Sequence, residues 1–229
     1  MPWAQTRLSW RPVPVTGGKV LVFARAPVPG ETKTRLIPAL GAEGAATLHA
    51  LLIERTLLAL ADLQSASVEL LCTPGTEQAF FHHCREKFGC TLKQQQGADL
   101  GSRMASALES ALADAPWAIL LGTDCPDLHA RDIQEAIAAL NRGNDAVVGP
   151  AHDGGYYLIG LRQTSPQLFS DIPWGSGSVW RLTRERLEQL GWRYSLLRAQ
   201  HDLDRPGDLQ HFPRLREQLR DAVRLRDPQ

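Results

Sequence analysis

An excess of charge of one sign, paired cysteines and a leading apolar segment are what this sequence lacks. Lys plus Arg and Asp plus Glu both number 25 among 229 residues. No global charge therefore recruits nucleic acid or an anionic membrane, and any phosphate binding has to be built locally. The four cysteines, Cys72, Cys84, Cys90 and Cys125, form no CxxC pair and have no histidine at zinc-ligand spacing. They point to reduced thiols of a cytoplasmic protein rather than to a disulfide frame or a zinc site. The leading MPWAQTRLSWRPVPVTGG has no hydrophobic stretch of signal-peptide length, and the first apolar run, Val20 to Ala24, is too short for export or for spanning a bilayer. Neither a repeat, a low-complexity tract nor a composition break marks a linker. The expectation is a flexible N-terminal arm over residues 1–18 and one domain over residues 19–229.

What is present from Lys19 onward is an alternation of strand and helix patterns. KVLVFA (19–24), SVELLCT (67–73), TLKQQ (91–95), WAILLGT (117–123) and DAVVGPA (145–151) read as strands, separated by helical patterns over 43–63, 77–89, 100–115 and 131–143. That order predicts an α/β fold, Rossmann-like, with three layers (αβα) and a mostly parallel, doubly wound sheet. After Pro150 the rhythm changes: YYLIGL (156–161) follows a Gly-Gly pair with no room for a crossover helix, so it is expected to run antiparallel or to belong to an accessory ribbon. A helix over 180–191, a strand over 194–198 and a charged helix from about Gly207 complete the chain. Functional loops belong at the carboxyl ends of the parallel strands.

VLVFARAPVPGETKTRL (20–36) resembles a strand leading into a phosphate loop, yet a P-loop needs glycine directly before its lysine, and here Thr32 precedes Lys33. Pro27 and Pro29 also remove two amide donors from any backbone nest. What remains is three cations, Arg25, Lys33 and Arg35, able to converge on a polyphosphate, with Gly30 permitting close backbone approach. As ordinary surface charges on a loop they need no such role, so the other loops carry weight.

LLGTDCPDL (120–128) places Asp124 directly after a buried strand, where a carboxylate in a nucleotide site holds a divalent metal through oxygen. Asp127 either shares that role or caps the helix that begins near His129. HDLDRPGDL (201–209) supplies Asp202 and Asp204 upstream of Asp208, a first-turn residue favoured by the helix dipole. Asp124 and Asp204 together suit one Mg²⁺, or Mn²⁺, bridging phosphate oxygens. In GPAHDGGYYLIGL (149–161), Asp153 with Gly154 and Gly155 is either a plain turn or a carboxylate that orients an acceptor, and His152 is either exposed or catalytic. In QQGADLGSRM (95–104), Asp99 is a plausible N-cap, Gly97 and Gly101 leave room for a base or ribose, and Arg103 can meet phosphate. Trp174 in DIPWGSGSVW either packs or lines the acceptor pocket.

Taken in order, FARAPVPGETKTRL, QQGADLGSRM, GTDCPDL, GPAHDGGYYLIGL, PWGSGSV and DLDRPGDL span nearly the whole chain. The set resembles a bacterial glycosyltransferase-A-like family, related to the 2-phospholactate guanylyltransferases and more distantly to the molybdenum-cofactor guanylyltransferases. The resemblance implies a nucleotide-diphospho-sugar transferase (GT-A) fold, with Ala24, Arg25, Gly30, Lys33, Arg35, Gly97 and Arg103 on the nucleotide side. It implies metal held by Asp124 and Asp204, and an acceptor met by Asp153, Gly154, Gly155 and Trp174. The acidic motif is D-C-P-D rather than a plain D-x-D, which leaves Asp127 without a settled role.

The activity expected is Mg²⁺-dependent (or Mn²⁺-dependent) transfer of a nucleoside monophosphate from a nucleoside triphosphate to a small anionic acceptor, with Arg25, Lys33, Asp124 and Asp153 as catalytic residues. Glycosyl transfer from a nucleotide sugar is the alternative, and a non-catalytic nucleotide-binding regulatory module the third reading. Partners are then a nucleotide and a small-molecule acceptor, with no nucleic acid and no membrane span, and with homodimerisation left open.

Overall fold

The computed structural model describes residues 17–224, so that most of the expected N-terminal arm lies outside the described residues. Seven strands form one sheet: β1 (Gly18–Arg25), β2 (Ala66–Thr73), β3 (Thr91–Gln94), β4 (Ala118–Leu121), β5 (Ala146–Pro150), β6 (Tyr156–Leu161) and β7 (Tyr194–Leu196), in the spatial order β3-β2-β1-β4-β6-β5-β7. The pairings β1 with β2, β1 with β4, β2 with β3 and β5 with β7 are parallel. β6 runs antiparallel to both neighbours, β4 and β5. The Gly-Gly pair before Tyr156 leaves no length for a crossover, and the chain reverses as the spacing predicts.

The helices are α1 (Ile37–Ala59), α2 (Ala79–Phe88), α3 (Leu100–Leu112), α4 (Ala130–Asn141), α5 (Val179–Gln189) and α6 (Pro213–Arg224). Alternating side chains of β1 divide the core. Val20 and Val22 pack with α1, α2 and α4 residues such as Ile53, Phe81 and Ile133. Leu21 faces the other way, toward Met104 and Leu108 of α3 and Leu187 of α5. This period-two burial on both faces is what a central strand of a three-layer αβα protein requires. A third cluster joins α1 to α6 through Leu48, Leu52, Leu215 and Leu219.

Two elements differ from expectation. The last helix is not continuous from Gly207: a 3-10 turn over Pro206–His211 precedes α6, which begins afresh at Pro213, a residue suited to a helix start but not to its interior. α1 is broken at Gly41 (φ 69°, ψ 169°), so the apolar segment is two helices in tandem. By length and composition Thr34–Ala59 is apolar enough to cross a membrane, with a mean hydropathy of 1.5, and 50% of that window is buried inside the protein.

A candidate active site at the carboxyl ends of the strands

β1, β4 and β5 all deliver their C-termini to one edge of the sheet, and antiparallel β6 starts there. A cavity of about 530 Å³ opens at this edge, lined by residues following β1 (Arg25, Lys33, Arg35), β4 (Asp124) and β5 (Asp153), and by Asp202 and Asp204 beyond β7. Its other wall is apolar, with Phe23, Leu100, Met104 and Tyr156. The volume is that of a small-molecule site.

The loop after β1 folds on itself. Glu31 N donates to Val28 O at 3.1 Å and Thr32 Oγ1 to the same carbonyl at 3.2 Å, which brings Lys33 back over the strand end. Lys33 sits in the left-handed region (φ 48°, ψ 41°) immediately before a 3-10 turn over Thr34–Leu36. Its Nζ lies 2.7 Å from Asp124 Oδ1 and 3.9 Å from Asp204 Oδ1, and donates to Leu203 O at 2.6 Å. Arg35 Nη1 donates to Asp204 Oδ2. The two acidic loops are tied together directly, since Leu203 N donates to Asp124 O at 2.8 Å.

Asp202 is half-buried near Asp153. Burial, and then the negative charges of Asp153, Asp208 and Asp204, push its carboxyl above the usual range. Cys125 is buried, and burial together with the charges of Asp124 and Asp202 holds its thiol protonated. His49, on α1, bonds through Nε2 to Arg25 O at 3.1 Å, while Nδ1 is buried with no partner. Burial lowers its pKa, outweighing the nearby Asp124 carboxylate, so the ring is neutral beside the cationic loop.

The β5–β6 loop is braced from behind. Asp153 Oδ1 accepts from Gly155 N at 2.8 Å, and Trp180 N donates to Gly154 O at 2.8 Å. Gly154 has φ +90°, and a Cβ there would lie 2.1 Å from Gly177 O, so the Asp-Gly-Gly turn packs against the GSGS segment only with glycine at 154. His152 stacks on His201 (centroids 4.0 Å apart), and His201 stacks on His211 (4.5 Å), so that three rings fasten the Asp153 and Asp202 loops to the 3-10 turn.

Of the residues singled out from sequence, the cavity brings together Arg25, Lys33, Arg35, Asp124, Asp153, Gly155 and Asp204. Ala24, Gly30, Gly97, Arg103, Gly154 and Trp174 stand outside its lining. Arg103 Nε instead donates to Gly97 O at 3.0 Å, holding the turn before α3, where Asp99 is the N-cap in a reciprocal box with Ser102. Trp174 stacks on Phe169, meets Tyr156 edge-on and presses on α3 where Gly101 has no side chain, a Cβ there lying 2.4 Å from Trp174 Nε1. Asp127 is not the cap of α4: that position is His129, two residues later, whose N–H is received by Asp132; Arg198 binds Asp132 and the backbone oxygen of Asp127. His49 and the apolar wall escaped the sequence reading. His49 had one signal, a lone polar ring within the apolar stretch Ala45–Ile53 of α1 that only Thr47 otherwise interrupts.

Seven strands in this order, with acidic loops and a cationic loop meeting at their carboxyl edge, define a nucleotide-diphospho-sugar transferase fold. The chain belongs to the family described as an uncharacterized protein conserved in bacteria (DUF2064), which matches residues 56–176. The chain is 33% identical to a proposed nucleotide-diphospho-sugar transferase from Desulfovibrio desulfuricans G20, with a TM-score of 0.79 and 86% of each chain covered. At 14% identity it resembles a CMP:2-keto-3-deoxy-manno-octonic acid synthetase complexed with CTP, with a TM-score of 0.54 over 89% of this chain and 99% of that one. At 11% identity it resembles glucosyl-3-phosphoglycerate synthase from Mycobacterium tuberculosis in complex with Mn²⁺, UDP and glucosyl-3-phosphoglycerate, with a TM-score of 0.53 over 90% of this chain and 78% of that one. No curated protein matches the chain.

Proposed function

We propose that the protein is a divalent-metal-dependent nucleotidyltransferase acting as one catalytic domain, in the cytoplasm. It moves a nucleoside monophosphate from a nucleoside triphosphate to a small phosphorylated or otherwise anionic acceptor. An acceptor oxyanion attacks the α-phosphorus in line, the bond to the β-phosphate oxygen breaks, and pyrophosphate leaves. The observation that carries this reading is the convergence of Arg25, Lys33 and Arg35 with Asp124 and Asp204 in one cavity. The four free, buried cysteines suit a reducing compartment.

Arg25, Lys33 and Arg35 bind the phosphates; in the free protein Lys33 and Arg35 are paired with Asp124 and Asp204, so the cations are already gathered at one edge and exchange these partners for donor oxygens. No general base is needed for an acceptor that is already anionic. Asp153, fixed by its turn, faces the acceptor. Among the described residues no three carboxylates, histidines or cysteines converge as a ready-made metal cage. The donor set is nevertheless one of carboxylate oxygens, and three more acidic positions of the same loops, Asp153, Asp202 and Asp204, line the cavity with Asp124. These residues fit Mg²⁺ or Mn²⁺, which Asp124 and Asp204 would hold, with Asp202 adjacent. Such an ion supplies Lewis-acid neutralisation of phosphate charge.

Glycosyl transfer from a nucleotide sugar is the second reading, favoured by the placement of Asp153 in the cavity wall, where it can accept a proton from an acceptor hydroxyl. Incubation of the protein with each donor class, Mg²⁺ and a panel of acceptors separates the two. Pyrophosphate release is expected; nucleoside diphosphate release from a nucleotide sugar replaces the first reading with the second.

A further inference from the structure

Lys33 is buried at the cavity and tied to oxygen on three sides, and the groups that hold it are those a metal needs. Its ammonium has three oxygen neighbours, Leu203 O at 2.6 Å, Asp124 Oδ1 at 2.7 Å and Asp204 Oδ1 at 3.9 Å, and the side chain is only 4% exposed. Two carboxylates and a carbonyl are a donor set for a hard cation as much as for an ammonium. The backbone beneath it adopts a left-handed conformation (φ 48°) that lysine disfavours, so the folding of the loop imposes this placement. Asp204 has a second cation in Arg35 and stays neutralised if Lys33 leaves, whereas Asp124 has no other ion pair among the described residues.

We propose that Lys33 is the resident counter-cation of Asp124, and that a divalent ion gains this carboxylate only when donor phosphates draw the ammonium away. The inference rests on the transferase reading above. An ammonium and a dication cannot both sit on Asp124 Oδ1 without mutual repulsion, and a metal arriving alone offers Lys33 no other anion. A metal–phosphate complex offers one, and Lys33 exchanges carboxylate for phosphate oxygen while Asp124 exchanges ammonium for metal. Metal and donor then enter together, and the free protein takes up little metal.

The test is Mn²⁺ binding to the full chain, read from the loss of the free-ion electron paramagnetic resonance signal, with Mn²⁺ alone and then with a non-hydrolysable nucleoside triphosphate. Wild type should bind Mn²⁺ alone weakly and in the presence of the analogue strongly. Lys33→Met should bind Mn²⁺ alone on the order of tenfold more tightly than wild type. Lys33→Arg, which keeps the charge, should show no gain, and Asp124→Asn should abolish the gain of Lys33→Met. Lys33→Gln serves where Lys33→Met does not fold. A neutral variant that binds Mn²⁺ no more tightly than wild type overturns the proposal, as does a gain that persists without the Asp124 carboxylate. A wild-type protein that binds no nucleotide refutes the transferase reading, while the comparison in Mn²⁺ alone still decides the role of Lys33.

Discussion

Asp202 is a carboxylate that the fold holds at a cost. Its folded pKa lies above the ordinary value because of burial and then the charge of Asp153. The folded state therefore binds more protons than the unfolded one as the pH rises from about 4, and stability falls through that window. Asp202→Asn is expected to raise the melting temperature at pH 7 and to leave it nearly unchanged near pH 3.5, where the unfolded carboxyl is largely protonated as well. The same variant should weaken nucleotide binding in the presence of Mg²⁺. Melting curves at both pH values and a binding titration check this, and a variant less stable than wild type at pH 7 contradicts it. That Asp124, Arg25 and Lys33 would meet at one strand edge was legible because each follows a recognisable strand, and all three line the cavity. The sequence reading named Asp204 and left Asp202 without a role; burial of Asp202 and the partner Arg35 of Asp204 are what the structure adds. His49 stood out only as a polar ring in an apolar stretch, since its bond to Arg25 O joins a helix to a strand end distant in sequence.

The strand and helix elements up to β5 were readable because apolar runs and glycine stops mark them, as at Gly89, which caps α2 in a left-handed conformation. At β6 loop length excluded a crossover helix but left an antiparallel strand and an accessory ribbon open, and pairing with β4 and β5 decides for the former. What periodicity did not show were the ties between elements. Asp132 at the start of α4 receives Arg198 through Nε at 2.7 Å and Nη2 at 2.9 Å, together with Gln200 Nε2 at 3.2 Å. Burial raises the pKa of Asp132, but hydrogen bonds from Arg198 and the His129 amide outweigh it, and the carboxyl lies below the usual range. Its contribution is thus present above the unfolded pKa and lost as pH falls through the folded one. Because this strut carries the segment that leads into Asp202, Asp132→Ala should cost about 2 to 3 kcal/mol of stability. It should also loosen the acidic loop, seen as faster amide exchange over residues 198–205. Unchanged stability and exchange would mean that the ion pair only decorates the surface.

A neutral chain that builds a charged cavity has to do so by topology. Loops from β1, β4 and β5, and the segment beyond β7, are distant in sequence and meet only because parallel strands end at one edge and β6 reverses to start there. The fold class was legible from the strand and helix alternation, whereas the pairing of cation with carboxylate was not, since no local pattern records which loops will touch. Binding of a phosphate donor and a metal at this edge is most directly examined by a thermal-shift panel of nucleoside triphosphates and nucleotide sugars, with and without Mg²⁺, on wild type and Asp124→Ala. One nucleotide class should raise the melting temperature by roughly 5 °C or more at about 100 times its Kd, only when Mg²⁺ is present and only with Asp124 intact. No shift with any donor, or a shift indifferent to both Mg²⁺ and Asp124, would contradict a metal-assisted nucleotide site in this cavity.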